Sequence, residues 1–150
     1  MTGGSTSLES EGTRLFVYGT LLASAKHPLG DVLRGSATLI GPGSIQGRLY
    51  MIRDRETGLD AYPGAAPSPL QSDRVHGELY ALTGDVGRLL RLLDDYENCS
   101  PDWPEPHEFK RHAVSVAVAG GRTLEAIAYL YNWKIARGRR LSGGRFMAST

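Results

Sequence analysis

The fold is decided by the stretch LFVYGTLL at Leu15–Leu22, in which an apolar run leads directly into a glycine. A continuous apolar run is typical of a strand that is covered on both faces. Gly19 has no side chain, so the backbone there can turn sharply or approach a neighbouring element closely. The stretch therefore predicts a strand ending in a tight corner, whose backbone N–H groups suit a carboxylate or a developing oxyanion. An ordinary strand exit without a ligand is the alternative.

A second stretch, Leu89 to Glu97, has the spacing of an amphipathic helix. Apolar residues fall at i, i+3, i+4 and i+7, on one helical face: Leu89, Leu92, Leu93 and Tyr96. At roughly 100° per residue, Glu97 lies about 40° beyond Leu93, at the edge of this apolar arc, whereas Asp94 and Asp95 point further away from it. We therefore expect Glu97 to be partly buried, with its pKa raised by desolvation toward a value useful for proton transfer. A frayed helix end with Glu97 in water is the alternative.

The remaining patterns predict the α+β class. Period-2 or apolar runs predict strands near Arg14–Gly19, Ser44–Ile52, Arg74–Leu82, Phe109–Val118 and Thr123–Trp133. The pair Gly120-Gly121 between the last two is a hairpin signal. One helix is predicted to begin at Pro28, and the main helix to span Thr83–Glu97 with Thr83 or Asp85 as its cap. Antiparallel strands around two helices favour α+β over a doubly wound sheet.

Composition limits the possible partners. The 150 residues carry a formal net charge of +1, which gives no reason to expect a nucleic-acid surface. No apolar run approaches the roughly 18 residues that a membrane span requires, so no membrane partner is expected. A single cysteine excludes an intramolecular disulfide framework. Together with the absence of a visible signal peptide, this predicts a cytoplasmic location.

The chain is predicted to hold one domain, residues 14–150, after a disordered lead at residues 1–13 that is rich in Gly, Ser and Thr. Residues 134–150 form a basic, glycine-rich C-terminal segment that is expected to be solvated. Its stretch Ser142–Arg145 lacks the lysine spacing of a phosphate loop and predicts a turn.

Other chemically active residues give weaker signals. The four histidines show no ligand spacing, so neither a metal nor an organic cofactor is predicted. Cys99 lies near Glu97, but an isolated cysteine is more often inert than nucleophilic. Glu78 is the main rival carboxylate, and a structural ion pair within the sheet is its favoured role.

Seven short segments, in order, resemble the γ-glutamylcyclotransferase-like family, which includes the AIG2-like and BtrG-like proteins. They cover about Arg14 to Trp133 and are Val17–Leu21, Gly47–Tyr50, Tyr62–Gly64, Val75–Tyr80, Leu93–Glu97, Phe109–Arg111 and Ala128–Tyr131. The resemblance implies a small mixed, mainly antiparallel β-barrel with flanking helices.

The resemblance also implies the site residues. Glu97 matches the acidic catalytic residue of the family. The turn that resembles the glutamyl-binding loop consists of Tyr18, Gly19, Thr20 and Leu21. Arg111 and Tyr131 match positions that line the cavity and are predicted to bind substrate.

This chain departs from the family pattern at two places. Phe109 stands where the family often has tyrosine, so a hydroxyl contact from that position is lost. A loop rich in proline and acidic residues, Cys99–Glu108, separates Glu97 from the next strand and is expected to shape substrate access.

The activity implied by the resemblance is cleavage of γ-glutamyl amines or γ-glutamyl amino acids. The substrate's own α-amino group attacks its γ-carbonyl, which releases 5-oxoproline and a free amine, with Glu97 as general base and then acid. This reaction needs no cofactor. Two alternatives remain open: a non-catalytic small-ligand-binding module of the same fold, and an amide hydrolase. The protein is predicted to be a monomer or a homodimer.

Overall fold

The computed structural model describes residues 13–19, 21–22, 27–53, 56–57, 60–97, 99–135 and 138–146. Thr13 is the only residue of the predicted N-terminal lead inside these ranges. The strands are β1 (Arg14–Val17), β2 (Ala37–Gln46), β3 (Arg48–Arg53), β4 (Asp60–Ala66), β5 (Arg74–Leu82), β6 (Phe109–Val118), β7 (Thr123–Tyr131) and β8 (Gly138–Leu141). The helices are α1 (Pro28–Gly35) and α2 (Val86–Tyr96), and a short 3-10 turn spans Ala119–Gly121.

Five strands close into a barrel in the order β1-β5-β2-β6-β7. All neighbours are antiparallel except β1 and β7, whose parallel pairing of Leu15 with Ile127 completes the ring. A second, three-stranded sheet has the order β4-β3-β8. The predicted α+β class, with a small mixed and mainly antiparallel barrel and flanking helices, is confirmed. Neither helix within the described residues has the length and apolar character needed to cross a membrane.

Strand β1 is buried on both faces, as its continuous apolar run predicts. Leu15 and Val17 belong to an apolar cluster that includes residues of both helices. Phe16 and Tyr18 belong to a second cluster, which includes residues of β3 and β4. Because successive strand residues point to opposite faces, β1 separates the helical layer from the side that faces the second sheet.

The strand predictions differ from the structure where the bounds of a strand depend on the strands that pair with it. Strands β5 and β6 have the predicted bounds, but Ser44–Ile52 is divided between β2 and β3 at Gly47. A Cβ atom at Gly47 would lie 2.8 Å from the carbonyl oxygen of Ala66. The boundary between β2 and β3 therefore lies where the backbone approaches the end of β4 closely. Strand β4 was not predicted, because a run containing proline and glycine has a weak strand signal.

The C-terminal segment was predicted to be solvated, and most residues at 139–146 are exposed, but the structure orders this part of the chain as a strand and a turn. Strand β8 pairs antiparallel with β3, and the carbonyl oxygen of Gly144 accepts a hydrogen bond from the His76 N–H at 2.8 Å. Its arginine-rich sequence has little strand character of its own, so the exposed edge of β3 supplies the order. The turn predicted at Ser142–Arg145 is present, closed by Gly144 N–H and the Leu141 carbonyl at 2.8 Å.

Helix α2 begins three residues later than predicted. Asp85 is its N-cap, and its side chain accepts a hydrogen bond from the Arg88 N–H at 3.0 Å. Thr83 instead donates its hydroxyl to the carbonyl oxygen of Ser36 at 3.0 Å. Strand β7 ends at Tyr131, two residues before its predicted end.

Gly77 is predicted to be essential for packing β5 against β1. A Cβ atom there would overlap the carbonyl oxygen of Val17, so the backbone of one strand must move. We expect Gly77→Ala to lower the free energy of unfolding by about 3 kcal/mol, measured by urea denaturation. At Gly35 a Cβ atom meets nothing within 4 Å, so Gly35→Ala is the matched control. Equal effects of the two substitutions would contradict the close approach.

Candidate active site

A cavity of about 280 Å³ lies at the end of β1, against the C-terminal end of α2. The residues that line it are Phe16, Val17, Tyr18, Gly19, Leu21, Tyr62, Pro63, Tyr96, Glu97, Glu108, Phe109 and Tyr129. The structure thus brings four of the predicted site residues together: Tyr18, Gly19, Leu21 and Glu97. Thr20, the remaining residue of the predicted glutamyl-binding turn, lies outside the described residues.

The corner after β1 is closed by its own backbone. The Leu22 N–H donates to the carbonyl oxygen of Gly19 at 3.0 Å. Gly19 packs directly against β4, since a Cβ atom there would lie 2.7 Å from Cγ of Pro63. The close approach predicted for Gly19 is therefore present, and it joins two walls of the cavity.

Tyr18 is a cavity-lining residue whose hydroxyl is hydrogen-bonded within the barrel. The hydroxyl donates to the carbonyl oxygen of Tyr129 at 2.7 Å and accepts from the Ala65 N–H at 3.1 Å. Burial, and then the nearby charge of Glu97, raise the pKa of Tyr18 well above its usual value. Tyr18 therefore stays neutral and fixes β1 to β4 and β7.

Glu97 is the C-cap of helix α2, and its N–H donates to the carbonyl oxygen of Leu93 at 2.8 Å. Its carboxyl group lines the cavity and is partly buried. Burial, and then the charge of Glu108, raise the pKa of Glu97 from 4.5 to about 8. The direction predicted from the helical spacing is confirmed, and at neutral pH a large fraction of this carboxyl group is protonated.

The buried face of α2 is rotated relative to the predicted one. Leu92 was assigned to the core and is 45% exposed. Asp94 was predicted to point away from the core and is buried. Apolar periodicity assigns an aspartate to solvent, but donors from neighbouring strands satisfy this one. The rotation brings the centre of the buried face to within roughly 30° of the Glu97 direction.

Glu108 is a second carboxylate in the cavity, and sequence reasoning missed it. It is 7% exposed and accepts a hydrogen bond from the hydroxyl of Tyr62. Its backbone oxygen accepts from the Asn132 N–H at 2.7 Å, which fixes the end of the loop against the residue after β7. The available signal was its position directly before Phe109, at the start of a predicted strand.

Asp94 fixes the wall of the cavity behind Glu97. Its Oδ1 atom accepts from the hydroxyl of Tyr129 at 2.6 Å, and its Oδ2 atom from Nη2 of Arg111 at 2.9 Å. Burial, and then the hydrogen bond to Asp94, raise the pKa of Tyr129. A cavity-lining tyrosine is thus held in one orientation by a charged partner.

Arg111 and Tyr131 are not among the cavity-lining residues, although the resemblance implied that they were. Arg111 is 42% exposed and forms its ion pair with Asp94, so its guanidinium group supports the wall from outside. The Tyr131 ring lies edge-on to the ring of Phe109, with 5.4 Å between centroids. Tyr131 therefore lies behind a residue that does line the cavity, and its role in substrate binding stays a prediction.

The other candidate residues have structural surroundings. Burial, and then the charges of Asp94 and Glu97, raise the pKa of the Cys99 thiol to about 12, so this sulfur stays protonated. Glu78 accepts a hydrogen bond from the Tyr80 hydroxyl at 3.0 Å and does not line the cavity. Among the described residues, no three acidic, histidine or cysteine side chains form a group suited to a metal ion.

Comparison with known proteins identifies the family. The family described as "Gamma-glutamyl cyclotransferase, AIG2-like" matches residues 15–148, and the chain belongs to it. No curated protein matches the chain at a significant level.

Several solved structures share the fold. An AIG2-like protein from Mus musculus is 26% identical over 79% of this chain and 76% of its own, with a TM-score of 0.56. An uncharacterised protein from Pyrococcus horikoshii is 21% identical over 89% and 88%, with a TM-score of 0.58. A structure named gamma-glutamyl cyclotransferase is 16% identical over 85% and 70%, with a TM-score of 0.58.

The electrostatic coupling of the two cavity carboxylates is directly testable. Because the charge of Glu108 contributes to the raised pKa of Glu97, we expect Glu108→Gln to lower the pKa of Glu97 by about 1. The measurement is a ¹³C NMR titration of labelled glutamate carboxyl groups. Glu125→Gln, at an exposed residue of β7 outside the cavity, should leave the value unchanged. A pKa unaffected by Glu108→Gln would contradict the coupling.

The raised pKa of Glu97 also predicts a pH-dependent stability. The folded protein holds this proton more tightly than the unfolded chain, so stability present below pH 4.5 is lost as the pH rises to about 8. Glu97→Gln removes the cost of ionisation. We expect urea denaturation to show the variant gaining on the order of 2–4 kcal/mol relative to wild type between about pH 5 and about pH 9. A difference independent of pH would contradict the burial of the charge.

Proposed function

We propose that the protein is a γ-glutamylcyclotransferase that releases 5-oxoproline and an amine from γ-glutamyl amines or γ-glutamyl amino acids. Membership of the γ-glutamyl cyclotransferase family supports this proposal. The observation that carries it is the carboxyl group of Glu97, which lines the same cavity as the glycine corner and has a pKa of about 8.

The pKa of Glu97 suits the proton transfer that starts this reaction. An α-amino group has an ordinary pKa of roughly 8, so a carboxylate with a similar pKa accepts its proton at little free-energy cost. Glu97 takes one proton from the α-ammonium group, and the free amine attacks the γ-carbonyl carbon. The nucleophile belongs to the substrate, so the enzyme contributes mainly by holding a folded conformer.

Collapse of the tetrahedral intermediate breaks the bond to the departing nitrogen. Protonated Glu97 returns its proton to that nitrogen, and the ring nitrogen loses a second proton as the lactam forms. The released amine takes up both protons and leaves as an ammonium ion. The enzyme therefore ends the cycle in its starting protonation state, without a cofactor.

The other polar groups of the cavity bind the oppositely charged parts of the substrate. Glu108, held by the hydroxyl of Tyr62, attracts the α-ammonium group to the side where Glu97 lies. The backbone N–H groups of Gly19 and Leu21 are the proposed donors to the glutamyl carboxylate or to the oxyanion. Apolar lining residues such as Phe16 and Phe109 exclude water from the reacting carbonyl.

Substitution of Glu97 tests this proposal. We expect Glu97→Gln to lower kcat by a factor of about 10² to 10⁴, because the amide accepts no proton. The measurement is mass-spectrometric detection of 5-oxoproline from a panel of γ-glutamyl dipeptides and γ-glutamyl alkylamines. Glu78→Gln, which changes a carboxylate outside the cavity, should keep wild-type turnover.

Three other outcomes would contradict the proposal. Near-normal turnover by Glu97→Gln would remove this residue from the mechanism. Free glutamate in place of the lactam would indicate an amide hydrolase. Binding of a panel member without turnover would indicate a non-catalytic module of the same fold.

A further inference from the structure

A second, smaller cavity lies away from the first and is lined by basic groups. Its volume is about 140 Å³, and it lies between the start of β3, the residues around the start of β5, and β8 with the turn that follows. Its lining includes three arginines and one histidine: Arg48, Arg74, Arg140 and His76. One aspartate, Asp73, is the acidic residue among the lining side chains. The chain as a whole carries a formal net charge of only +1, so this is a local concentration of positive charge.

Asp73 orients two of the arginines. Its Oδ2 atom accepts from Nε of Arg48 at 2.6 Å, and its Oδ1 atom from Nη2 of Arg140 at 2.9 Å. The hydroxyl of Ser68 also donates to Oδ2, at 2.6 Å. The Ser68 hydrogen bond and then that of Arg48 lower the pKa of Asp73 to about 2, so this carboxylate is ionised at neutral pH. One carboxylate with three donors thus fixes two guanidinium groups on either side of itself.

The third arginine is fixed independently. Nε of Arg74 donates to the hydroxyl of Ser44 at 3.1 Å, and Nη2 donates to its carbonyl oxygen at 2.9 Å. These partners are neutral, so the positive charge of Arg74 is not compensated by them. Gly144 packs on the Arg74 backbone with φ of +69°, where a Cβ atom would overlap the Arg74 carbonyl oxygen. The turn after β8 is therefore held against the backbone of Arg74.

His76 reports the electrostatic potential in this cavity. Burial, and then repulsion from Arg145 and Arg74, lower the pKa of its imidazole. A neutral histidine beside arginines is expected where cationic charge exceeds anionic charge. The cavity is thus small, polar, preorganised and positive, which is the combination that guanidinium groups provide for oxyanions.

We propose that this cavity binds a small oxyanion of the phosphate class, held by Arg48, Arg74 and Arg140. Each of these side chains has donor N–H groups beyond those directed at Asp73 or Ser44, because a guanidinium group carries five. This site does not depend on the proposed cyclotransferase reaction, and the two proposals can fail separately.

Thermal denaturation with inorganic phosphate tests the site. At about ten times its Kd, phosphate is expected to raise the Tm of the wild-type protein by about 3 to 6 °C relative to sodium chloride at equal ionic strength. Arg140→Gln should lose this rise, while Asp73 keeps its bond to Arg48 and the fold is retained. The matched control is Arg139→Gln, which removes the same charge from the same strand but on the opposite face, outside the cavity.

A second measurement on the unaltered chain locates the anion. Phosphate bound beside His76 should raise the pKa of its imidazole, which a ¹H–¹³C NMR titration records without any substitution. The proposal is overturned if chloride raises the Tm as much as phosphate does, or if Arg139→Gln and Arg140→Gln lose the response equally. It is also overturned if phosphate stabilises the protein and leaves the His76 pKa unchanged.

Discussion

The chemistry of this molecule depends on one electrostatic constraint: two carboxyl groups, Glu97 and Glu108, line a single partly apolar cavity. Removal from water disfavours the charged form of Glu97, and the charge of Glu108 disfavours it further. Ionising both groups in this cavity costs free energy, so the fold must hold them in place by other contacts. This cost is characteristic of functional sites rather than of structural ones.

The barrel supplies those contacts through tyrosines and a buried aspartate. Tyr62 donates to Glu108, and Tyr18 joins β1 to two other strands with its hydroxyl. Asp94 lies one helical turn before Glu97 and binds Tyr129 and Arg111. The C-terminal end of α2 is therefore bound to β6 and β7 by a charged hydrogen-bond network, and the position of Glu97 follows from that attachment.

Much of this arrangement was predictable from local sequence. The apolar run before Gly19 predicted a strand buried on both faces, and helical spacing predicted the burial of Glu97 and the direction of its pKa. These two predictions depend only on the periodicity of apolar residues and on the absence of a side chain at Gly19.

The predictions that differ from the structure depend on contacts between residues far apart in the sequence, which local patterns do not reveal. Asp94 is buried because it accepts hydrogen bonds from Tyr129 and Arg111, which are 35 and 17 residues away in the sequence. Strand β8 forms because β3 offers an edge, and Glu108 enters the cavity because the end of its loop is fixed by Asn132. Arg111, assigned to the cavity by resemblance alone, is held outside it by the same aspartate.

In the proposed reaction the substrate's own amine, and not water, attacks the γ-carbonyl under the control of Glu97. The most direct test is turnover of an active panel substrate in water enriched in ¹⁸O, followed by mass spectrometry of the product. We expect 5-oxoproline without solvent oxygen from the wild-type protein, formed about 10² to 10⁴ times more slowly by Glu97→Gln. Glutamate carrying one heavy oxygen atom would contradict it, because water would then be the nucleophile.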